Sequence, residues 1–282
     1  MSQHSFDNTP SLYIVPTPIG NMEDITLRAL DTLKKVDLIL CEDTRETLKL
    51  LKYFNIEKKV MSCHEWNEKS IRENVLKKLN SGFNIALVSD QGTPIISDPG
   101  YIISSAVING GFNVISLPGS TAFVPALTSS GIEPQPFLFY GFLSPKNSKR
   151  EKILQKLKNY DFTIIFYEAP HRLYDMLKAL LLVFGDRNIC ICREISKVHE
   201  QIYRGKISDF CNEIDVLKGE FVIVVEGNKS ENDPYNLSYT EHVKSYILDG
   251  MSEKDAIKMV SRERKVAKSV VYSEYHGNKK GA

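Results

Sequence analysis

Short apolar runs and helix-like segments alternate through the first half of this chain. Runs of four residues, such as those at 38–41 and 85–88, have the length of buried strands and are bounded by turn residues. Between two such runs, Ile71, Val75 and Leu79 recur every four residues, which is the spacing of one helix face. Strands that alternate with helices form a parallel sheet covered on both faces. The sequence therefore predicts an α/β fold.

The second half, after a break at residues 131–136, has a different order of elements. Strands are predicted at 137–140, 162–167, 189–192, 200–204 and 221–225, and a helix at 207–217. Two of these strands follow each other without a helix between them, which indicates a mixed or partly antiparallel sheet. We therefore expect two α/β domains, the first with a parallel sheet and the second with a mixed one.

Polar stretches before the first strand and after the last one set the domain boundaries. We expect a disordered lead-in at 1–11, an N-terminal α/β domain at 12–131, a C-terminal α/β domain at 132–227, a linker at 228–239 and a helical segment at 240–282. The last segment is predicted as three short helices, and Ser252 and Asp255 have the spacing of a capping box. Its mild basic excess is a weak signal for nucleic-acid contact.

Composition excludes several classes of protein. The formal net charge is +1, so only local clusters of basic residues argue for nucleic-acid binding. No apolar run approaches twenty residues and the start is polar, so we expect no membrane span, no signal peptide and a cytoplasmic location. The five cysteines lack metal-ligand spacing, so we expect no metal. The first strand is not followed by Gly-x-Gly-x-x-Gly, which argues against the usual nicotinamide or flavin folds.

Turn residues follow the run at 85–88, in a stretch that extends to residue 100. Such residues accept tight turns and expose backbone N–H groups to a ligand. Ligands of open α/β sheets bind beyond the carboxyl ends of the strands. Asp90 lies at such an end, and its carboxylate suits a cationic or hydroxyl-bearing ligand. The alternative is that Asp90 caps the next helix.

Two other strand ends carry residues that suit a site. After the run at 38–41 come Glu42, Asp43 and Arg45. Either these charged side chains are solvated at the start of a helix, where acidic groups interact favourably with the helix dipole, or they face the same cleft as Asp90. Trp66 follows the third strand, where it either packs against the protein or stacks on a base.

Basic residues are concentrated between residues 146 and 158. Six Lys or Arg stand there against one acid, which is a local charge of +5. The stretch is either a solvated helix face or a surface for phosphates. His171 follows a later strand, and its role as a base, an RNA contact or a packing residue stays open.

Five motifs occur together in one order and carry a resemblance to a known family. They are residues 15–21 (VPTPIGN), 42–45 (EDTR), 89–94 (SDQGTP), 118–122 (PGSTA) and 167–172 (YEAPHR). Together they resemble the 16S ribosomal RNA cytidine 2′-O-methyltransferases, within the tetrapyrrole-methylase (class III) superfamily of S-adenosylmethionine enzymes. The resemblance covers residues 12–227, and the helical segment is of the family type.

The resemblance implies that S-adenosylmethionine lies in a cleft between two α/β domains, and that the protein is a homodimer. It places the cofactor against Pro18, Ile19, Gly20, Val88, Ser89, Asp90, Thr93, Ser120, Thr121, Ala122, Glu168, Ala169 and Ile195. Ile195 is assigned to the cofactor by its distance from Gly205 along the chain, and not by identity with the family's residues. Contact with 16S ribosomal RNA is assigned to Lys146, Lys149, Arg150, His171, Arg172 and the basic tail.

The implied reaction is methylation of a cytidine ribose 2′-oxygen in the small ribosomal subunit. Such a reaction needs alignment of the two reactants and an acceptor for the hydroxyl proton. We expect Glu42 or Asp43 to position the ribose, and Arg45 to hold phosphate or orient them. The alternatives are a tetrapyrrole or diphthine-type methyltransferase, whose first loop is usually glycine-rich where Pro16 and Pro18 stand here, or a non-catalytic ribosome-binding module.

Overall fold

The computed structural model describes residues 3–5, 7–211, 218–229, 237–248 and 250–277. Contacts divide the chain into two compact units. The first takes residues 1–156 and 162–226, and the second takes residues 157–161 and 227–282. Both sheets belong to the first unit, and three helices near the carboxyl end belong to the second.

The first sheet is wholly parallel among its described strands, as predicted. Its order is β3-β2-β4-β1-β5. The strands are β1 (Ser11–Ile14), β2 (Leu38–Cys41), β3 (Val60–Ser62), β4 (Ile85–Leu87) and β5 (Asn113–Ser116). The helices are α1 (Leu27–Lys35), α2 (Thr44–Tyr53), α3 (Glu68–Asn80), α4 (Tyr101–Asn109) and α5 (Phe123–Ser130), with a 3-10 turn at Met22–Asp24.

Burial on both faces explains why these strands are apolar without interruption. Along β2, Ile39 packs with Leu33 of α1 and Leu51 of α2. The next residue, Leu40, faces the other way and packs in the cluster that contains Val75 of α3. Each face of the sheet is therefore covered by helices, because successive side chains of a strand point to opposite sides.

The second sheet is mixed, which confirms the expectation from consecutive strands. Its order is β6-β7-β10-β8-β9, with β6 parallel to β7 and the other pairs antiparallel. The strands are β6 (Phe137–Phe142), β7 (Thr163–Glu168), β8 (Asn188–Arg193), β9 (Gln201–Lys206) and β10 (Phe221–Val225). The helices are α6 (Asn147–Leu157), α7 (Pro170–Phe184) and α8 (Ile207–Phe210). Of the helix predicted over 207–217, residues 212–217 lie outside the described residues.

Helix α5 links the two sheets. It follows β5 of the first sheet, but its Ala126 and Leu127 pack against Ile165, Cys190 and Val224 of the second. Because this apolar contact crosses from one sheet to the other, both sheets fall within one compact unit.

The second unit contains α9 (Tyr239–Leu248), α10 (Glu253–Glu263) and α11 (Lys268–Gly277), as the three predicted short helices. They pack through Val243, Ile257, Val260 and Val271. The Ser252 side chain accepts a hydrogen bond from the Asp255 backbone and caps α10. None of the described helices is both long and apolar enough to span a membrane.

Three predicted segments are only partly described. Residues 1, 2 and 6 of the lead-in, residues 230–236 of the linker and residues 278–282 of the tail lie outside the described residues. Within the lead-in, the Asp7 carboxylate accepts hydrogen bonds from Thr9 and from the Asn113 side chain, and Ser11 already belongs to β1.

Candidate active site

The loop after β1 and the loop after β4 are joined by hydrogen bonds at the carboxyl edge of the first sheet. The backbone N–H of Thr17 donates to the Gly92 carbonyl over 2.9 Å, and Gly92 N–H donates back over 3.0 Å. The Thr17 hydroxyl donates to the Ser89 carbonyl, and the Ser89 hydroxyl donates to the Gly92 carbonyl. Thr17 and Ser89 are buried, so these bonds hold the two loops in one arrangement.

The loops after β2 and β5 extend this network. The Thr93 hydroxyl donates to the Ser120 carbonyl over 2.9 Å, and the Ser120 hydroxyl donates to the Asp24 carbonyl. The Asp43 backbone N–H donates to the Asp90 carboxylate over 3.1 Å. Asp90 thus joins two loops. It does not cap α4, which begins after Gly100, so that alternative is wrong.

A cavity of about 470 Å³ lies between these loops and the edge of the second sheet. The wall residues from the first sheet's loops are Ile19, Glu42, Asp90, Gln91, Gly92, Thr93, Ile96, Ser97, Asp98, Thr121 and Ala122. Those from the second sheet and its loops are Phe142, Tyr167, Glu168, Ala169, Pro170, Ile195, Glu220, Phe221 and Val222.

Most of the residues expected to contact a cofactor form this wall. Asp90, Thr93, Thr121, Ala122, Glu168, Ala169, Ile19 and Ile195 belong to it. Pro18, Val88 and Ser89 are buried outside the lining set, where they support the loops. Gly20 and Ser120 also lie outside the lining, on loop segments next to residues that form it.

The segment at residues 194–197 reaches from the second sheet to the loop after β1. The Ser196 hydroxyl donates to the Asp24 carboxylate. A side chain at Gly20 would collide with the Lys197 stem, so glycine permits this close approach. Lys197 forms ion pairs of 3.1 Å with Glu194 and with Glu220. The contact holds Ile195 at the cavity wall, which sequence spacing alone could not establish.

Acidic groups dominate the charge of the cavity wall. Glu42, Asp90, Asp98, Glu168 and Glu220 belong to the lining, whereas no Lys, Arg or His is among the lining residues. Burial raises the pKa of Glu42 and of Asp90, and repulsion from the Asp90 carboxylate raises the pKa of Glu42 further. A wall of this charge suits a ligand with positive groups.

Asp43 differs from its neighbour Glu42. Its carboxylate caps α2 by accepting from the Arg45 backbone, and the Arg45 guanidinium binds it at 2.6 Å. Hydrogen bonds from Arg45 lower the pKa of Asp43 to about 2. Asp43 and Arg45 do not line the cavity, and the Arg45 side chain is 84% exposed. Of the three predicted catalytic residues, Glu42 alone lies in the wall.

The residues predicted to contact RNA separate into exposed and buried groups. Lys146 and Lys149 near the start of α6, and His171 near the start of α7, are exposed. Arg150 is 3% exposed and donates to the Asn147 side chain. Arg172 pairs with Glu168 at 3.0 Å, and the Glu168 carboxylate is fully buried. The sequence shows the basic residues but not which of them turn inward.

Several cavity residues were not predicted from the sequence. Asp98 lies within the turn-rich stretch after β4, where an acid at a strand end is a usable signal. Phe142, Tyr167, Phe221 and Val222 come from apolar strands and carry no local signal. Their place in the wall depends on how the second sheet packs against the first.

The cavity fits S-adenosylmethionine in size and in chemistry. Its volume of about 470 Å³ lies within the range of small-molecule sites, about 300–1,000 Å³. The wall joins apolar side chains such as Ile19 and Phe221 with several carboxylates. Such a lining matches a ligand that has an aromatic ring, a sulfonium and an ammonium group.

Comparisons with known proteins give the family. The family model of tetrapyrrole (corrin/porphyrin) methylases matches residues 11–211. The ribosomal RNA small subunit methyltransferase I of Bacillus subtilis is 48% identical over 274 residues, which are 94% of either chain. The protein of that name from Halalkalibacterium halodurans is 43% identical over 277 residues, 96% of either chain.

Two solved structures share the fold. Uroporphyrin-III-C-methyltransferase from Thermus thermophilus matches with a TM-score of 0.53 at 17% identity, over 77% of this chain and 92% of that one. The methyltransferase CobJ matches with a TM-score of 0.59 at 17% identity, over 79% of this chain and 95% of that one. From the family match and the two relatives it follows that the chain belongs to the tetrapyrrole (corrin/porphyrin) methylase family, in the group named ribosomal RNA small subunit methyltransferase I.

Proposed function

We propose that this protein uses S-adenosylmethionine to methylate the ribose 2′-oxygen of a cytidine in 16S ribosomal RNA. The observation that carries the proposal is the acidic cavity at the carboxyl edge of the first sheet. Support also comes from relatives that align with more than nine tenths of the chain and are named for small-subunit ribosomal RNA methylation. The cytidine and the 2′-oxygen come from the resemblance of the five motifs.

The cofactor would be held by the joined loops after β1, β4 and β5, together with residues of the second sheet. When bound, it supplies a methyl group on a positively charged sulfur, which is already activated for transfer. Asp90 and Glu42 would balance positive charge of the cofactor in the cavity. Because hydrogen bonds between the loops fix the wall, little ordering is needed on binding.

Glu42 and Arg45 are proposed to position the ribose and its phosphate. Glu42 lies in the wall, where its carboxylate can accept a hydrogen bond from a hydroxyl group. Arg45 is held on one side by Asp43 but keeps most of its side chain exposed, which suits phosphate. Alignment of this kind lowers reaction barriers by about 7–11 kcal/mol in favourable cases.

The RNA surface is proposed to include Lys146, Lys149 and His171 as direct contacts. Arg150 is buried and Arg172 is mostly buried, so their proposed role is to hold the starts of α6 and α7 in place beneath that surface. Trp66 is 89% exposed in the loop after β3, which leaves its ring free to stack on a base. The packing interpretation of Trp66 is therefore wrong.

The proposal extends to a homodimer in the cytoplasm. The dimer is supported by the family resemblance, and the location by the place where ribosomal RNA is made and assembled. Size-exclusion chromatography with light scattering measures the dimer directly.

The experiment uses small ribosomal subunits from cells that lack this protein. They are incubated with the protein and S-adenosylmethionine labelled on the methyl group, and the RNA is digested to nucleosides. We expect label in 2′-O-methylcytidine. Label on a base, label on a porphyrin ring offered as a competing acceptor, or no transfer would each contradict the proposal.

A substitution tests the role of Glu42. Glu42→Gln is expected to slow single-turnover methylation by about tenfold to a hundredfold, since one positioning hydrogen bond is weakened. The matched control is Glu73→Gln, at an exposed position of α3, with the wild-type rate expected. An unchanged rate in Glu42→Gln would show that Glu42 does not position the ribose.

A further inference from the structure

Asp98 lies in the cavity wall, in the loop between β4 and α4. The loop is tightly constrained around it. Ile95 has a φ of 78°, which a β-branched residue rarely adopts, and Gly100 has a φ of 130°. A side chain at Gly100 would collide with Leu87 and Ile95, so the loop packs directly on the end of β4. Asp98 is thus presented to the cavity by a backbone with little freedom, as is common at functional sites.

The Asp98 carboxylate has no hydrogen bond or ion pair within the described part of the chain. Other half-buried or buried acids of the wall do have partners. Asp90 accepts from the Asp43 backbone, and Glu168 pairs with Arg172. Asp98 is half-buried, so its carboxylate has lost part of its hydration without gaining a partner from the described part of the protein. The partner of Asp98 is therefore expected among the molecules that enter the cavity.

The surroundings of Asp98 act against its charge. Burial is the largest cause, and Glu42 from the end of β2 and Asp90 from the same loop add repulsion. From the second sheet, the Tyr167 hydroxyl is close enough for its own pKa to be raised by Asp98. No Lys, Arg or His among the lining residues offsets these effects. They raise the pKa of Asp98 to about 6, close to the pH at which the protein would work.

We propose that Asp98 is the catalytic base that takes the proton from the ribose 2′-hydroxyl. The inference rests on the proposed function and deepens it. The O–H bond of the hydroxyl breaks and its proton moves to the Asp98 carboxylate. The oxygen forms a bond to the methyl carbon, while the carbon–sulfur bond breaks and its electron pair stays on sulfur. Glu42, on the neighbouring strand end, orients the ribose.

The chemistry favours Asp98 over the other acids of this edge. A base acts best when its pKa lies near the working pH, because it is then both deprotonated and a good proton acceptor. The Asp43 carboxylate, with a pKa of about 2 and Arg45 bound to it, is a weak acceptor. Glu168 is enclosed by its pairing with Arg172. Glu42 also has a raised pKa and a place in the wall, but it is exposed to solvent. Asp98 combines these two properties with a free carboxylate that is half-buried.

The test compares wild type with Asp98→Asn and Asp98→Glu, with Asp31→Asn on exposed α1 as the matched control. Single-turnover methylation of small subunits is measured from pH 5 to 9. The wild-type rate is expected to fall about tenfold per pH unit below pH 6. The rate of Asp98→Asn at pH 7.5 is expected to be about a hundredfold or more below that of wild type, and it should not fall further below pH 6. Asp98→Glu is expected to keep part of the wild-type rate.

Two measurements do not depend on turnover. Calorimetry is expected to give Asp98→Asn the wild-type affinity for S-adenosylmethionine within a few-fold. Carboxyl-carbon NMR of the protein without cofactor is expected to show one aspartate that titrates near pH 6 and is missing in Asp98→Asn. A midpoint near 4, or loss of cofactor binding together with activity, would overturn the assignment.

The outcomes separate the inference from the proposed function. If wild type transfers no methyl to ribosomal RNA, the proposed function fails and the role of Asp98 falls with it. If wild type is active and Asp98→Asn keeps its rate within threefold, the inference alone is refuted. A lower melting temperature of Asp98→Asn, together with the wild-type fall of the rate below pH 6, would likewise refute it.

Discussion

Replacing Arg172 by methionine tests whether this side chain is part of the fold or part of the RNA surface. Arg172 is mostly buried and pairs with Glu168 at 3.0 Å. It also donates to the Leu143 carbonyl, which joins the start of α7 to the end of β6. Methionine keeps much of the apolar stem but leaves the Glu168 carboxylate, which is fully buried, without its cation.

The magnitude follows from this geometry. Breaking a buried ion pair by removing one partner costs about 3–5 kcal/mol, because the remaining charge stays buried. The Ala169 backbone still donates to Glu168 over 2.9 Å, so we expect the lower part of that range, about 3 kcal/mol. Burial already raises the pKa of Glu168, so in Arg172→Met this carboxyl is expected to take up a proton at higher pH than in wild type.

The assay is urea unfolding followed by circular dichroism, with Glu168→Gln and the double variant beside the single one. The double variant is expected to recover about 2 kcal/mol, since no unpaired charge then remains. The salt dependence of small-subunit binding is expected to stay at its wild-type slope, because a buried guanidinium releases no counterions. A loss of stability below about 1 kcal/mol, together with a shallower salt slope, would refute the structural role and return Arg172 to the RNA surface.

Two further predictions concern charges at the cavity and at the basic surface. In the double variant Lys146→Glu/Lys149→Glu, both of whose positions are exposed, the logarithmic slope of small-subunit binding against salt concentration should become shallower by about 1.5–2. The control Lys34→Glu on α1 should keep the wild-type slope. An equal slope in wild type, the double variant and the control would exclude α6 from the interface. The pKa of Asp98 is about 6 in the folded protein, against an ordinary value of 3.8 that applies to the unfolded chain. Asp98 therefore ionises at higher pH in the folded protein, and its ionisation lowers the free energy of unfolding as pH rises from about 4 to 6. Relative to wild type, Asp98→Asn should therefore gain up to about 3 kcal/mol in free energy of unfolding between pH 4 and pH 7, and a constant difference in urea unfolding would contradict the burial of this charge.

The parallel sheet and its loops could be predicted because local pattern and global fold agree there. The apolar runs that became β2 and β4 are buried on both faces, which is typical of strands in a parallel sheet covered by helices. Asp90 could be placed at the cavity because residues at the carboxyl end of a parallel strand face the ligand crevice, whereas Thr93 was expected there only from the family resemblance. Mixed pairing in the second sheet followed from strands with no helix between them.

The residues that could not be predicted depend on contacts between distant parts of the chain. Arg150 has the sequence surroundings of a solvated lysine-rich helix, yet it turns inward to Asn147. Phe221 and Val222 look like ordinary strand residues, and only the packing of the second sheet brings them to the cavity. The raised pKa of Asp98 comes from burial and from Glu42, which is 56 positions earlier in the numbering. No local pattern contains this information.

A crystal structure with S-adenosylhomocysteine tests the central claim most directly, because it shows where the cofactor product binds. The account predicts density in the cavity beside Asp90 and Thr121, with the sulfur directed toward Asp98 and Glu42. Density for the molecule at any other place, with this cavity left empty under saturating conditions, would contradict it.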